Sequence, residues 1–220
     1  MPRSAWRRKR KRQMEWIQNH LAELAMSLAM AWGAGIRLYL VVFVVGLLGK
    51  FGYVPLPDAM SVITNPIVLG AAGFMTFVEF FADKIPWLDS AWDAVHTFLR
   101  IPAGAAMAAG MLGDTGEGVA MAAAIIGGTL AAGTHFGKAG TRAAVNTSPE
   151  PFSNVAVSLA EDTAVAGGLA LAIANPWIFL GLLLVFVIAL VLLLRYLIKG
   201  LLAIFRKVGS WISPVPDTAK

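Results

Sequence analysis

Residues 176–194 decide the class of this protein, because they read PWIFLGLLLVFVIALVLLL and contain no charged side chain. A helix needs about 20 mostly apolar residues to cross the hydrocarbon core of a bilayer. Pro176 opens the stretch, and proline is favoured in the first turn of a helix. The stretch therefore predicts a membrane-spanning helix over residues 176–198, with Leu, Val, Ile and Phe side chains facing lipid.

The composition of the whole chain agrees with a membrane protein. Of its 220 residues, 58% are hydrophobic and 14% are charged, whereas soluble domains carry roughly 25% charged residues. These values exclude an ordinary soluble enzyme and a disordered protein. Because the chain has no cysteine, a disulfide framework, a thiolate zinc site and a cysteine nucleophile are excluded as well.

Five further stretches are apolar and long enough to cross a bilayer, so the sequence predicts an all-α, polytopic transmembrane helical bundle of about six spans. The second is entered through Asn65-Pro66, and the third to fifth are rich in Gly and Ala, whose small side chains let helices approach closely in lipid. The five stretches are 30–50, 62–82, 93–113, 117–137 and 154–174.

The formal net charge of +5 comes from the N-terminal tail. Residues 1–12 hold seven of the 18 basic residues and no acidic one. A polybasic tail next to an amphipathic helix is typical of contact with anionic lipid headgroups, which we favour over contact with nucleic acid. The basic side chains assigned to headgroup contact are Arg7, Arg8, Lys9, Arg10, Lys11 and Arg12.

Charge and periodicity divide the chain into four segments. The basic tail, 1–12, is followed by an amphipathic interfacial helix over 13–29, by the transmembrane domain over 30–198, and by a C-terminal amphipathic segment and tail over 199–220. Basic residues concentrate at both termini, and the positive-inside rule therefore predicts that both termini are cytoplasmic.

Ionisable side chains in or near the predicted spans are the candidate functional residues. Each costs at least ~2.5 kcal/mol at the centre of a membrane helix and therefore needs a partner or a wet cavity. One interpretation is a binding or conduction path for a charged or zwitterionic solute or a lipid headgroup; the other is structural ion pairs with snorkelling side chains. The predicted path residues are Arg37, Glu79, Asp83, Lys84, Arg100, Lys138, Arg142, Glu161 and Asp162.

A second candidate feature is the segment between the fourth and fifth predicted spans. Its two prolines interrupt regular helix, and Ser153 or Asn154 would then cap the fifth span. The segment either lines a cavity, or re-enters the membrane where protein shields its backbone, or is an ordinary cytoplasmic turn. The residues assigned to it are Ser148, Pro149, Glu150, Pro151 and Asn154.

Two short sequence motifs each occur twice, which raises the alternative of two inverted three-helix halves, as in many secondary transporters. Ala-Gly-Ile-Arg at 34–37 resembles Ala-Gly-Thr-Arg at 139–142, and Asn65-Pro66 resembles Asn175-Pro176. Such short matches arise easily by chance in a chain rich in Ala and Gly.

Enzyme chemistry receives little support. Asp89 and Asp93 lie one turn apart, a spacing that suits a divalent metal with a diphosphate, but the longer aspartate pattern of membrane alcohol-phosphate transferases is absent. A metal-dependent enzyme acting on lipid diphosphates is therefore the least favoured hypothesis. No metal ligand, cofactor or catalytic residue is predicted.

In combination, these motifs resemble the bacterial membrane protein family known as domain of unknown function 4126. The resemblance covers roughly residues 30–175 and implies an integral inner-membrane protein, while it transfers no catalytic role. It rests on 34–37, Glu79, Asp83-Lys84-Ile85-Pro86, the Trp92 to Arg100 stretch, Lys138, 139–142, Ser-Pro-Glu-Pro at 148–151, Asn154 and Glu161-Asp162.

The leading functional hypothesis is a transporter, channel or lipid-translocating protein with a charged intramembrane site. The alternative is a structural or assembly protein that packs partners against its Gly/Ala-rich helices. The expected partners are membrane lipids and a small solute or lipid, and the sequence leaves the oligomeric state open.

Overall fold

The computed structural model describes the backbone of residues 3–145 and 151–212, and within these the side chains from residue 20 to residue 203 except 86, 87, 151, 197 and 201. The described backbone holds six α-helices, two short 3-10 segments and no strand. The helices are α1 Arg3–Lys50, α2 Pro66–Ala82, α3 Pro86–Met111, α4 Glu117–Val145, α5 Pro151–Ala174 and α6 Pro176–Ile212, and the 3-10 segments are Asp58–Thr64 and Gly113–Thr115.

Four helical segments within the described chain are long and apolar enough to cross a membrane. They are His20–Lys50, Glu117–Val145, Phe152–Ala174 and Pro176–Gly200. The 3-10 segment before α2 and α2 itself pass the same test as a pair bent by 62°, which would make a fifth span. The chain is thus an all-helical protein with membrane-length helices, whereas the predicted count of six spans is not confirmed.

The helix starts follow the local sequence signals. Asn65 caps α2, because its side chain accepts a hydrogen bond of 2.9 Å from the backbone N–H of Ile67, and Pro66 takes the first helical position. Pro176 likewise begins α6, as predicted.

The predicted divisions of the chain at 12/13, 29/30 and 198/199 lie inside the continuous helices α1 and α6. As divisions between tail, interfacial helix and membrane domain they stay predictions. α3 and α5 begin earlier than predicted, at prolines.

The helix break predicted over residues 148–154 does not extend as far as predicted. α5 begins at Pro151, so Pro151 and Asn154 are helical rather than loop residues, and neither Ser153 nor Asn154 is an N-cap. Proline is tolerated in a first turn, where its missing N–H has no intrahelical acceptor. Ser148, Pro149 and Glu150 lie outside the described residues.

The first half of α1 runs antiparallel to α3. The hydroxyl of Ser27 donates to the carbonyl of Ala108, 3.1 Å away, near the C-terminal end of α3. Arg37, further along α1, is ion-paired with Asp83, which immediately precedes the N-terminal end of α3. We call the end of the bundle where α2 meets α3 the charged end, and the other the opposite end.

Beyond Arg37, α1 turns back. Arg37 itself has φ −142° and ψ 73°, which interrupts the helix. Gly46 then lies against the carbonyl of Ile63, and Met60 lies against Gly110, again close to the C-terminal end of α3. Lys50 and Ser27 are therefore both toward the opposite end, and α1 is a bent pair of helices whose tip is at Arg37.

Small residues let the other helices surround the first half of α1. Gly104 of α3 and Gly127 of α4 both lie against Ala31, and Gly168 of α5 lies against the ring of Trp32. Ala31 is fully buried. The Gly/Ala-rich helices thus pack as their sequence predicts, because a larger side chain at these contacts would force the backbones apart.

Each of the two Asn-Pro pairs begins a helix. Asn65-Pro66 begins α2, and Asn175-Pro176 begins α6. The structure does not confirm the inverted repeat.

We predict that Gly35→Ala lowers the stability of the protein by about 1–3 kcal/mol, the usual effect of overpacking. The new Cβ would meet the Ala131 carbonyl and the Thr134 side chain. Gly181→Ala is the matched control, because nothing lies within 4 Å of its Cβ position and alanine is the better helix former. Thermal unfolding in detergent micelles measures both; equal midpoints for the two variants would contradict the close approach at Gly35.

Candidate functional site

Ten ionisable side chains gather at the charged end of the bundle, drawn from α1, α2, α3, α4, α5 and the turn between α2 and α3. We call them the charge cluster. Each of them takes part in at least one ion pair of 4.0 Å or less with another. The cluster comprises the cations Arg37, Arg100, Lys138 and Arg142 and the carboxylates Glu79, Asp83, Asp89, Asp93, Glu161 and Asp162.

Arg37, at the tip of α1, joins α1 to α5 and to the α2–α3 turn. Its guanidinium is ion-paired with Asp83, with Glu161 at 3.3 Å and with Asp162 at 2.9 Å. It also donates to the hydroxyl and the carbonyl of Ser158, 3.0 and 3.1 Å away. Because Arg37 is 1% exposed, these groups replace the water that the charge has lost.

Asp83 is the carboxylate shared by three cations. One of its oxygens, Oδ2, pairs with Arg37, with Lys138 at 3.4 Å and with Arg142 at 3.3 Å. Burial alone would raise the pKa of Asp83, but the positive charges of Lys138, Arg37 and Arg142 outweigh burial and hold the pKa below its usual value. Asp83 is therefore ionised.

Arg142 of α4 holds the start of α5 against the α2–α3 turn. It forms a two-point interaction with Glu161, with N···O distances of 2.9 and 3.0 Å. It also donates to the side-chain oxygen of Asn154 at 2.9 Å and to the Asp83 carbonyl at 3.2 Å. Such bidentate contacts fix geometry as well as charge.

The break in α1 is itself part of the site. The ammonium of Lys138 donates to the carbonyl of Ile36, 3.3 Å away, one residue before the helix is interrupted at Arg37. Carbonyls at the C-terminal end of a helix lack intrahelical partners and carry partial negative charge. A buried cation at this point therefore stabilises the interrupted backbone.

A second group of contacts surrounds Arg100. Arg100 pairs with Glu79 at 2.5 Å and with Asp93 at 2.7 Å, and the ring nitrogen Nδ1 of His135 is 3.2 Å away. The other ring nitrogen of His135 contacts the hydroxyl of Thr97 at 2.7 Å. Lys138 lies 3.4 Å from Asp93 and so connects this group to the group around Asp83.

Not every polar atom in the charge cluster is satisfied. Among the described residues, one carboxylate oxygen each of Glu79, Asp83 and Asp93 is buried without a hydrogen-bond partner. Carboxylates also outnumber cations by two. The described side chains therefore leave the cluster with formal negative charge and with free acceptors.

Exposure within the cluster is uneven. The side chains of all four cations are at most 2% exposed, whereas Glu161 is 13% and Asp162 is 27% exposed. The approach to the cluster from outside the protein therefore runs past carboxylates of α5.

The structure joins eight of the nine predicted path residues in ion pairs of the charge cluster, and the ninth, Lys84, forms none of these pairs. Lys84 donates to the carbonyl of Phe80 at 2.7 Å, and its ammonium lies 3.0 Å from the centre of the Phe80 ring. It thus caps the end of α2 with a cation–π contact instead of an ion pair within the cluster. The side chains of the six basic residues between Arg7 and Arg12 lie outside the described residues.

Sequence reasoning assigned Asp89 and Asp93 to a different role and did not include His135. The two aspartates are buried and join the charge cluster, with Asp89 4.0 Å from Arg142. Asp89, Asp93 and Arg100 lie on the same face of α3. That shared face is the sequence signal that could have placed the two aspartates in the charge cluster. In the described part of the chain, no three His, Cys, Asp or Glu side chains are placed to hold a metal ion.

We predict that Asp83→Asn destabilises the protein by about 3–5 kcal/mol, the usual cost of removing one partner from a buried ion pair. Asp58→Asn is the control, since Asp58 is exposed at the opposite end. Chemical unfolding in micelles measures the free energy of unfolding of both variants. If Asp83→Asn protein were as stable as the Asp58→Asn control, the shared carboxylate would be dispensable for stability.

Comparison with known proteins gives a family and no further relative. No curated protein and no solved structure matches the chain. The family model described as a domain of unknown function, DUF4126, matches residues 24–196. This range contains the tip of α1 and every member of the charge cluster, and the chain therefore belongs to the DUF4126 family.

Proposed function

We propose that this protein moves a charged or zwitterionic solute, or a lipid headgroup, across a membrane through the charge cluster, as a transporter, channel or lipid-translocating protein. The observation that carries the proposal is the position of the cluster at the break in α1. Broken helices that meet buried charges at membrane depth form the substrate and ion sites of many secondary transporters.

A purely structural role would not require so many buried charges. Replacing a buried ion pair by well-packed apolar residues is often neutral or stabilising. Charged residues inside membrane segments accordingly mark substrate, ion or proton paths more often than packing. The free acceptors on Glu79, Asp83 and Asp93 support a site that binds a further group.

The membrane arrangement is part of the proposal. Because α1 turns back at Arg37, we infer that it enters the membrane and leaves it on the same side, while α2 to α6 each cross. α3 is not among the apolar segments of membrane length, and we include it because it runs from the charged end to the opposite end. This arrangement has five crossings and puts the two termini on opposite sides, whereas six straight crossings would put both in the cytoplasm. In either case we propose a bacterial inner membrane, with the basic tail on anionic headgroups.

Transport tests the function directly. In vesicles reconstituted with the purified protein, we expect transbilayer movement of a phosphatidylethanolamine labelled on its acyl chain, or a potassium chloride current in planar bilayers. Glu161→Gln and Arg37→Ala should lower whichever rate is observed at least tenfold, about 1.4 kcal/mol or more of barrier.

Asp114→Asn is the control for these variants, because Asp114 is exposed in the 3-10 segment at the opposite end. Wild-type protein that gives neither signal above protein-free membranes would overturn the proposal. Full activity in folded Glu161→Gln protein would remove the cluster from the path.

Cysteine accessibility tests the arrangement, and the chain has no cysteine of its own. Single cysteines at Ser4, Asp58 and Ser210 are labelled in intact cells or sealed vesicles with a membrane-impermeant maleimide. We expect positions 4 and 58 to react from one side and position 210 from the other. Reaction of positions 4 and 210 from the same side would instead support six straight crossings.

A structural or assembly role is the second candidate, and one observation favours it. Gly70 of α2 and Gly181 of α6 have open space at their Cβ positions, so a partner helix can approach these surfaces closely. A protein that moves neither probe but co-purifies as a stable complex from membranes would support this candidate.

A further inference from the structure

Two adjoining cavities run along α5 and α6, over the first half of α1, and one of them is also lined by α4. Their volumes are about 370 and 270 Å³, and both are lined by Trp32, Ala164 and Phe186. We call the pair the furrow. Its size lies in the range of ligand sites, which are mostly apolar with a few polar groups.

The walls of the furrow are apolar along most of its length. α5 contributes small residues, including Ala160, Ala164 and Gly167, and open space remains beside Gly167. α6 contributes Phe179 and Phe186, which pack edge-on against Trp32 with ring centres 6.3 and 5.8 Å apart. These walls suit a hydrocarbon chain.

One end of the furrow reaches the charge cluster through Lys138 and Glu161. The Lys138 side chain is 2% exposed and is paired with Asp83, Asp93 and Glu161, whereas the Glu161 side chain is 13% exposed. A molecule in the furrow therefore meets the more exposed Glu161 carboxylate, which also pairs with Arg37 and Arg142, in a cluster whose carboxylates outnumber its cations. The complementary group is a cation.

The contrast with a neighbouring cavity shows what is specific to the furrow. A larger cavity of about 600 Å³ lies between α4 and α6 and is lined by apolar residues with Thr129 and no charged side chain. That cavity suits ordinary lipid chains. Unlike that cavity, the furrow joins apolar walls to a buried charge.

We propose that the furrow binds an amphiphile with an ammonium head and a hydrocarbon chain, the ammonium at Glu161 and the chain along Ala164, Gly167 and Phe179. The distance along α5 from Glu161 to Leu171 is about 15 Å at 1.5 Å per residue, close to the length of a dodecyl chain. This inference rests on the proposed function, because it names the class of substrate that the charge cluster would take.

Photo-crosslinking tests the proposal. The protein in phosphatidylcholine nanodiscs is irradiated with a dodecylamine that carries a diazirine at the end of its chain, and labelled peptides are identified by mass spectrometry. We expect label near Gly168 and Phe179, and dodecylammonium should compete at least tenfold more strongly than dodecyl sulfate. Equal competition by dodecyl sulfate would overturn the assignment of a cationic head.

Two variants that fill the furrow and one matched control locate the site. Ala164→Trp and Gly167→Trp should each lower labelling at least tenfold. Ala166→Trp should leave it unchanged, because Ala166 is also exposed but lies about 200° further around α5 than Ala164. Unchanged labelling in both furrow variants, or an equal loss in the control, would place the amphiphile elsewhere.

This binding assay and the transport assay fail independently. Labelling that meets these expectations in a protein without transport would leave the furrow as a ligand site and remove the proposed function. Transport without specific labelling would remove the amphiphile and leave the charge cluster as a path for another solute.

Discussion

A charge that has been taken out of water must be paired, and this constraint organises the whole charged end of the molecule. The cost of an unpaired buried ion is several kcal/mol. Asp83 serves Arg37, Lys138 and Arg142 at once, so α1, α4 and the α2–α3 turn cannot separate without exposing three cations. Glu161 adds α5 to the same network. The shared ion pairs therefore tie these helices to one another at the charged end.

The same network makes the bend in α1 tolerable. Interrupted backbone is permitted at membrane depth only where protein or a cavity receives its polar groups. Lys138 binds the carbonyl of Ile36, and the side chain of Arg37 is surrounded by carboxylates and by Ser158. The first half of α1 ends in partial negative charge, which favours a cation at that point. The charge cluster and the bend in α1 thus stabilise one another.

Many of the helix starts and most members of the charge cluster could be predicted from composition and residue spacing. The features that could not be predicted have physical causes. Helix starts at Pro66 and Pro176 follow from local geometry. Eight of the nine predicted path residues form ion pairs with one another, because charges buried among apolar helices need partners. Lys84 forms none of these ion pairs because its long side chain reaches back to the Phe80 ring and carbonyl. The turn at Arg37 was missed because the sequence around it has neither proline nor a change in hydropathy. A helical hydropathy pattern does not show whether the chain continues in the same direction or turns back.

By itself the sequence determined the class of the protein, its membrane-length helices and the charged side chains that need partners, since hydropathy, proline and small residues act locally. Only the tertiary structure decided that α1 folds back on itself, that Asp83 is the shared carboxylate, and that Glu161 is a charged residue facing the furrow between α5 and α6. These facts depend on contacts between residues far apart in the chain, such as Arg37 with Glu161. Pairing of that kind is chosen by the geometry of packed helices, and no local pattern encodes it.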